Sequence, residues 1–239
     1  MPRRVGLVRD PGGHGTDPAV DVALDHSAAT LTTAGYELVE VELPMLQEAL
    51  NVYAGLVLTE FAGGWPRISS LIGPEASRYI QFDLDEHPPL ELPEYLRCAA
   101  LHLTVRRAWT ELASHTPLLL GPVSTRSAFA PGEESSTVAR KRRYGRSMTM
   151  SVWSTVVGAP SVAVPTGLSD GGPIGVQLVG PPFREEVCLD AAQVVQDAAG
   201  VLTPIEPRND RGNPGPRPSS SREVTGPSRP KRQRTWRST

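Results

Sequence analysis

Lysine is close to absent from this chain. Lys141 and Lys231 are the only two among 24 Lys and Arg residues, so chemistry that needs a lysine base has two candidates. Cysteine is as scarce. Cys98 and Cys188 lie in separate helix-like stretches, which excludes a disulfide framework and a thiolate zinc site and fits a reducing cytoplasm. No two of His14, His26, His87, His102 and His115 stand at metal-ligand spacing, so the spacing implies neither a metal nor a cofactor. No apolar run approaches membrane-spanning length, and no membrane partner is expected. The opening Met1-Pro-Arg-Arg-Val5-Gly-Leu-Val8 enters a strand at once, and no signal peptide is expected.

What is present divides unevenly. The 239 residues suit one large domain or two small ones. The net charge of −2 hides a split. From Arg208 to Thr239, nine basic residues face only Asp210 and Glu223, giving +7, which leaves −9 for residues 1–207. The tail holds Val224 and Trp236 as its only large apolar residues. Burial that sparse does not offset the entropy of ordering, so residues 208–239 are expected to be a disordered basic extension of a body spanning 1–207. Such a tail attracts acidic surfaces and nucleic acid. Trp236 alone offers no stacking platform, so a solvated extension without a nucleic-acid partner is expected.

Gly167-Leu168-Ser169-Asp170-Gly171 spells G-x-S-x-G, the pattern of a hydrolase nucleophile elbow. An elbow needs a helix directly after the serine, and here Asp170-Gly171-Gly172-Pro173 breaks one. The histidine that should follow is also missing, since all five precede Ser169. Val162 to Val164 and Ile174 to Val179 are apolar runs joined by turn residues, which predicts a buried hairpin or two neighbouring core strands. Ser169 reads as a loop serine.

Upstream the periods alternate. Val5 to Val8 is a strand. Asp17-Pro18 opens a helix, with Asp17 placed to cap, whose Val20, Leu24, Ala28 and Leu31 share a face before Gly35 ends it. Glu37 to Leu43 alternates as a second strand. This β-α-β unit predicts a sheet covered by helices. Pro11-Gly-Gly-His14-Gly15 lacks the endings of both phosphate-binding fingerprints and reads as a turn. Residues 45–114 are helical in character, interrupted at Pro66, Pro74 and Pro88-Pro89; Pro93 to Ser114 is the strongest helix, with Leu96, Ala100 and Leu103. Thr116 to Gly121 is a buried strand, and Pro122 to Arg146 is irregular, with Arg140-Lys141-Arg142-Arg143 as a solvated loop. Met148 to Val157 is a short helix ending at Gly158. Glu185-Glu186 start a last helix, with Val187, Ala191, Val194 and Ala198 as its inner stripe.

The run GAPSVAVPTGLSDGGPIGVQLVGPPFREEVCL, residues 158–189, resembles the C-terminal signature of the amidase signature family. Gly158-Ala-Pro160, Pro165-Thr-Gly167, Pro173-Ile-Gly-Val-Gln177, Pro182-Phe183-Arg-Glu-Glu186 and Leu202-Thr-Pro-Ile205 occupy the places of that family's motifs. The resemblance extends over residues 3–207, strongest from Thr116 onward. It implies an α/β fold here: a partial mixed β-sheet flanked by helices, the C-terminal part of the family fold. It implies hydrolysis of a linear amide's carbon–nitrogen bond by a Ser nucleophile, a second Ser and a Lys base.

None of those catalytic roles passes to a residue of this sequence. Lys141 sits in a run of arginines and Lys231 in the tail, and neither precedes a Gly/Ser-rich loop. Ser69-Ser70, Ser135-Ser136 and Ser219 to Ser221 lack flanking glycines. A frequent family Asn ahead of Gly-x-Pro stands here as Ser154 or is shifted in register; the resemblance makes Trp153 and Ser154 pocket-facing candidates, with a packing role for Trp153 as the alternative. The chain is expected to be inert alone. The expected partner is a separate chain supplying the catalytic half, or a second copy through self-association. The first reading is thus a fragment or truncated product of an amidase; the alternatives are a split-amidase subunit needing that partner chain and a non-catalytic binding protein whose basic tail finds nucleic acid.

Overall fold

A computed structural model describes residues 3–169 and 172–200. The basic tail, with the division expected at residue 207, lies outside the described residues, as does the Asp170-Gly171 turn.

The leading Arg3–Leu7 strand, β1, pairs in parallel with β2 (Tyr36–Glu40), Val5 lying opposite Leu38. Its other edge pairs in parallel with β3 (Leu118–Pro122), Val5 opposite Leu118. The two apolar runs around Gly171 form the antiparallel strands β4 (Ser161–Ser169) and β5 (Gly172–Val179). β5 also runs antiparallel to β3, so the sheet is mixed, in the order β2-β1-β3-β5-β4. Strand alternation then sorts the core. Leu118 and Leu120 of β3 face one layer, with Val5, Leu24, Leu31, Leu178 and Val195. Leu119 faces the other, with Val105, Trp109, Trp153 and Val179.

The first layer is built by α1 (Pro18–Thr33) and α8 (Glu185–Ala199). The α1 stripe Val20, Leu24, Ala28, Leu31 is buried as its period requires. The α8 stripe is shifted from expectation: Ala191 is buried and Val187 and Val194 pack half-buried as expected, but Cys188, Ala192 and Val195 are buried beside them and Ala198 is exposed. Cys188 Sγ reaches the Pro160 carbonyl at 3.4 Å and crowds Gly180, which fixes the helix rotation.

The second layer holds α2 (Leu46–Val52), a π-helical turn (Tyr53–Val57), α3 (Leu58–Ile68), α4 (Pro74–Glu86), α5 (Leu92–His115) and α7 (Thr149–Val157). Pro66 does not interrupt α3. It sits in the last turn, where only one interior hydrogen bond is lost before the helix ends at Ile68. The expected α5 stripe also faces the wrong way: Leu96, Ala100 and Leu103 are exposed, while Val105, Trp109 and Ala113 are buried. The 122–146 stretch is not wholly irregular. Its end forms α6 (Val138–Ser147), capped by the Thr137 hydroxyl, which accepts from the Arg140 amide at 3.2 Å. Gly158 closes α7 at φ 65°, the left-handed position that favours glycine.

Candidate functional site

The carboxyl ends of the parallel strands β1 and β3 open onto one another. In open α/β sheets this is where ligands bind. After β1 comes the Asp10 turn, whose carboxylate accepts from the His14 and Gly15 amides at 3.1 and 2.9 Å; it is the turn the sequence predicts. After β3 comes the segment Val123 to Ser127.

Asp17 joins the two. It stands at the N-cap of α1, yet its side chain makes no cap bond. Its carboxylate instead accepts from Arg126 Nη1 at 2.8 Å and from the Ser127 amide at 2.9 Å. Burial pushes the Asp17 carboxyl up, but the Ser127 amide and Arg126 hydrogen bonds, with the charges of Arg126 and Arg143, outweigh it and hold the group below its ordinary value. The Asp17 amide also donates to the Thr125 carbonyl at 2.9 Å, and the Thr125 amide donates to the Ser147 carbonyl at 2.9 Å. One buried residue, Thr125, thus ties the start of α1 to the end of α6. Beside it lies an apolar cleft of about 330 Å³, walled by Val20, Val123, Arg126, Ala128, Pro165 and Ile174.

Deeper, a polar cluster interrupts the core. Gln177, the one polar side chain of β5, donates from Nε2 to Ser154 Oγ at 3.1 Å. Ser154 donates to the Ser151 carbonyl at 3.0 Å, and Ser151 donates to the Val123 carbonyl at 2.8 Å. The chain of bonds links β5, α7 and the β3 exit, and satisfies groups that are expensive to bury unpaired. Trp153, beside it in sequence, points into the core. It is fully buried, its ring edge-on to Trp109 at 5.4 Å, and its indole N–H donates to the Pro44 carbonyl at 3.0 Å. Ser154 is buried within the polar cluster.

Lys141 is not in a solvated loop. It is buried on α6, ion-paired with Asp83 of α4, and its ammonium sits 4.6 Å from the Tyr79 ring centroid. Burial first, then the Asp83 charge, raises the Tyr79 phenol well above its ordinary value. The serine pairs are equally committed: Ser69 and Ser70 donate to the Pro66 and Arg67 carbonyls, and Ser135 and Ser136 to those of Gly132 and Glu133. Ser169 lies at the end of β4, opposite Gly172, rather than in the loop itself. Cys98 and Cys188 are both free thiols, and burial raises each above its ordinary value, Cys188 to about 11. Among the described residues no cluster of three metal-binding side chains occurs, and no helix is long and apolar enough to cross a membrane.

This sheet, with the 158–189 run forming its α7 exit, hairpin and last helix, is the arrangement of a known enzyme family. The Amidase family profile matches residues 1–189, and the chain belongs to that family. It is similar to an indoleacetamide hydrolase of Bradyrhizobium japonicum, 28% identical and covering 84% of this chain and 44% of that one. A glutamyl-tRNA(Gln) amidotransferase subunit from Xanthobacter autotrophicus is 26% identical, covering 88% and 47%. The fold matches that of 6-aminohexanoate cyclic dimer hydrolase with a TM-score of 0.69 at 21% identity, over 83% of this chain and 45% of that one. The chain spans just under half the length of the curated relatives it matches.

Proposed function

We propose that these residues form the C-terminal portion of an amide hydrolase, and that the Ser-Ser-Lys set implied by the family is carried by a complementary portion packed against them. The observation that carries the reading is the commitment of Lys141. It is the only lysine among the described residues, and its hydrogen-bond partner is Asp83, not a serine. A lysine base must reach the nucleophile within about 3.2 Å. Two surfaces support a complementary portion. The outer face of α5 exposes Leu92, Leu96 and Leu103 in a row, and β4 is an edge strand that pairs only with β5 among the described residues.

In this reading the cleft at the β1 and β3 ends is one wall of the substrate pocket. Ser154 and Gln177 hold that wall to β5, and Trp153 stiffens α7 from behind. The substrate class is a linear amide, and the reaction breaks its carbon–nitrogen bond with water. The free thiols suit a reducing compartment, which favours the cytoplasm.

The test is turnover of aryl amides and indoleacetamide by the purified chain, alone and after co-expression with an upstream coding segment that carries a lysine and a Gly/Ser-rich loop. Activity only in the co-expressed sample is expected. Activity of the chain alone, lost in Lys141→Ala while circular dichroism is unchanged, overturns the reading.

A further inference from the structure

The arginines of α6 converge with residues far from them in sequence. His14 from the turn after β1, Arg126 from the β3 exit, and Arg142, Arg143 and Arg146 from α6 line a second cleft, of about 370 Å³, closed below by Thr125 and Ser147. A run of arginines on a helix is ordinarily a solvated face. Here two arginines of the run meet residues outside it, and Arg126 joins them from another segment. Arg126 is held by Asp17 at 2.8 Å, Arg142 lies 2.6 Å from Glu86 Oε1, and the Arg143 guanidinium lies over the Phe129 ring at 5.9 Å from its centroid. Arg146 has no carboxylate at ion-pair distance among the described residues.

The charges do not balance. Four guanidinium groups line the cleft, and Asp17 and Glu86 are the carboxylates that reach them. Four guanidinium groups against these two carboxylates leave an excess of two positive charges. Like charges at positions i and i+4, as at Arg142 and Arg146, repel one another along a helix. A bound anion removes that repulsion, and planar guanidinium forks match the oxygens of phosphate and carboxylate groups.

We propose that this cleft binds a small dianion carrying phosphate or paired carboxylate oxygens. Charge selects the dianion, and a cleft of about 370 Å³ selects a small molecule over a polymer. The inference does not depend on amide hydrolysis, and its readout is binding rather than turnover.

The test is isothermal titration of the full chain at low salt with inorganic phosphate and, separately, with succinate. The Arg143→Ala/Arg146→Ala pair and the tail pair Arg232→Ala/Arg234→Ala are measured alongside. Arg146 is exposed on α6, and helix content by circular dichroism confirms that the variants fold. Saturable binding of one ligand per chain is expected for one or both anions, weakened at least tenfold by the cleft pair and unchanged by the tail pair. Tighter binding of phosphate or of succinate identifies which oxygens the cleft is built for. No saturable binding of either anion overturns the proposal. So does equal weakening by the tail pair.

Discussion

Removing the Lys141 side chain separates a structural lysine from a catalytic one. The Lys141–Asp83 pair joins α6 to α4 across 58 residues of sequence, and its side chains are 9% and 21% exposed. Breaking a fully buried pair by deleting one partner costs about 3–5 kcal/mol, whereas an exposed pair is worth about 0–1 kcal/mol. With Asp83 one-fifth in water, the loss in Lys141→Ala falls between these limits, at about 2–3 kcal/mol. The contact with the Tyr79 ring contributes about 0.5–1 kcal/mol of that. For a body of this size the expected fall in Tm is about 4–12 °C. Urea unfolding of wild type, Lys141→Ala, Asp83→Ala and the double variant closes a cycle whose coupling energy should be about 1–2 kcal/mol. A Lys141→Ala protein within about 0.5 kcal/mol of wild type, with no coupling to Asp83, refutes the structural assignment.

Three further outcomes follow from the same geometry. Asp17→Asn should release Arg126 and the Ser127 amide, costing about 1–3 kcal/mol at neutral pH. Because the folded carboxyl lies below its unfolded value, that stability is complete above about pH 4 and is lost as pH falls through the folded value; acid unfolding of the variant should lack this component, and an acid limb identical to wild type would exclude it. Gly175→Ala should cost about 1–3 kcal/mol in urea unfolding, since a Cβ there meets the Val164 carbonyl oxygen at 2.7 Å and backbone cannot step aside as a side chain can. Ser169→Ala should shift stability by less than about 0.5 kcal/mol, and rapid labelling of Ser169 by a fluorophosphonate probe would contradict its assignment as a non-catalytic strand-end serine.

Where a segment's own pattern determined its surroundings, sequence and structure agree. The β-α-β unit follows from the spacing of Val20, Leu24, Ala28 and Leu31 and the glycine behind them. The hairpin follows from two apolar runs about a Gly-Pro turn. The differences arise where a distant partner decides. The residues ARKRR in α6 read as solvated because nothing nearby shows that Asp83 receives Lys141. On α5, Leu96 and Leu103 make as good a stripe as Val105 and Trp109, and only the position of α7 and α2 selects the second. Asp17 reads as a cap by position, but Arg126 lies 109 residues away and takes its carboxylate. The polar wall was partly legible: Gln177 stands out as the lone polar residue of an apolar strand, but its partners Ser154 and Ser151 lie on α7, and nothing in the strand's own pattern points to them. The basic cleft was not, since His14, Arg126 and Arg146 meet only through the sheet.

Steady-state hydrolysis of an aryl amide, paired with fluorophosphonate labelling and mass mapping of the labelled serine, tests the central claim most directly. The chain alone should show no turnover and no labelled serine above the denatured control. With the complementary portion present, turnover should appear, and the labelled serine should map to that portion. A labelled serine within residues 3–200 of this chain, together with turnover by the chain alone, would contradict the account.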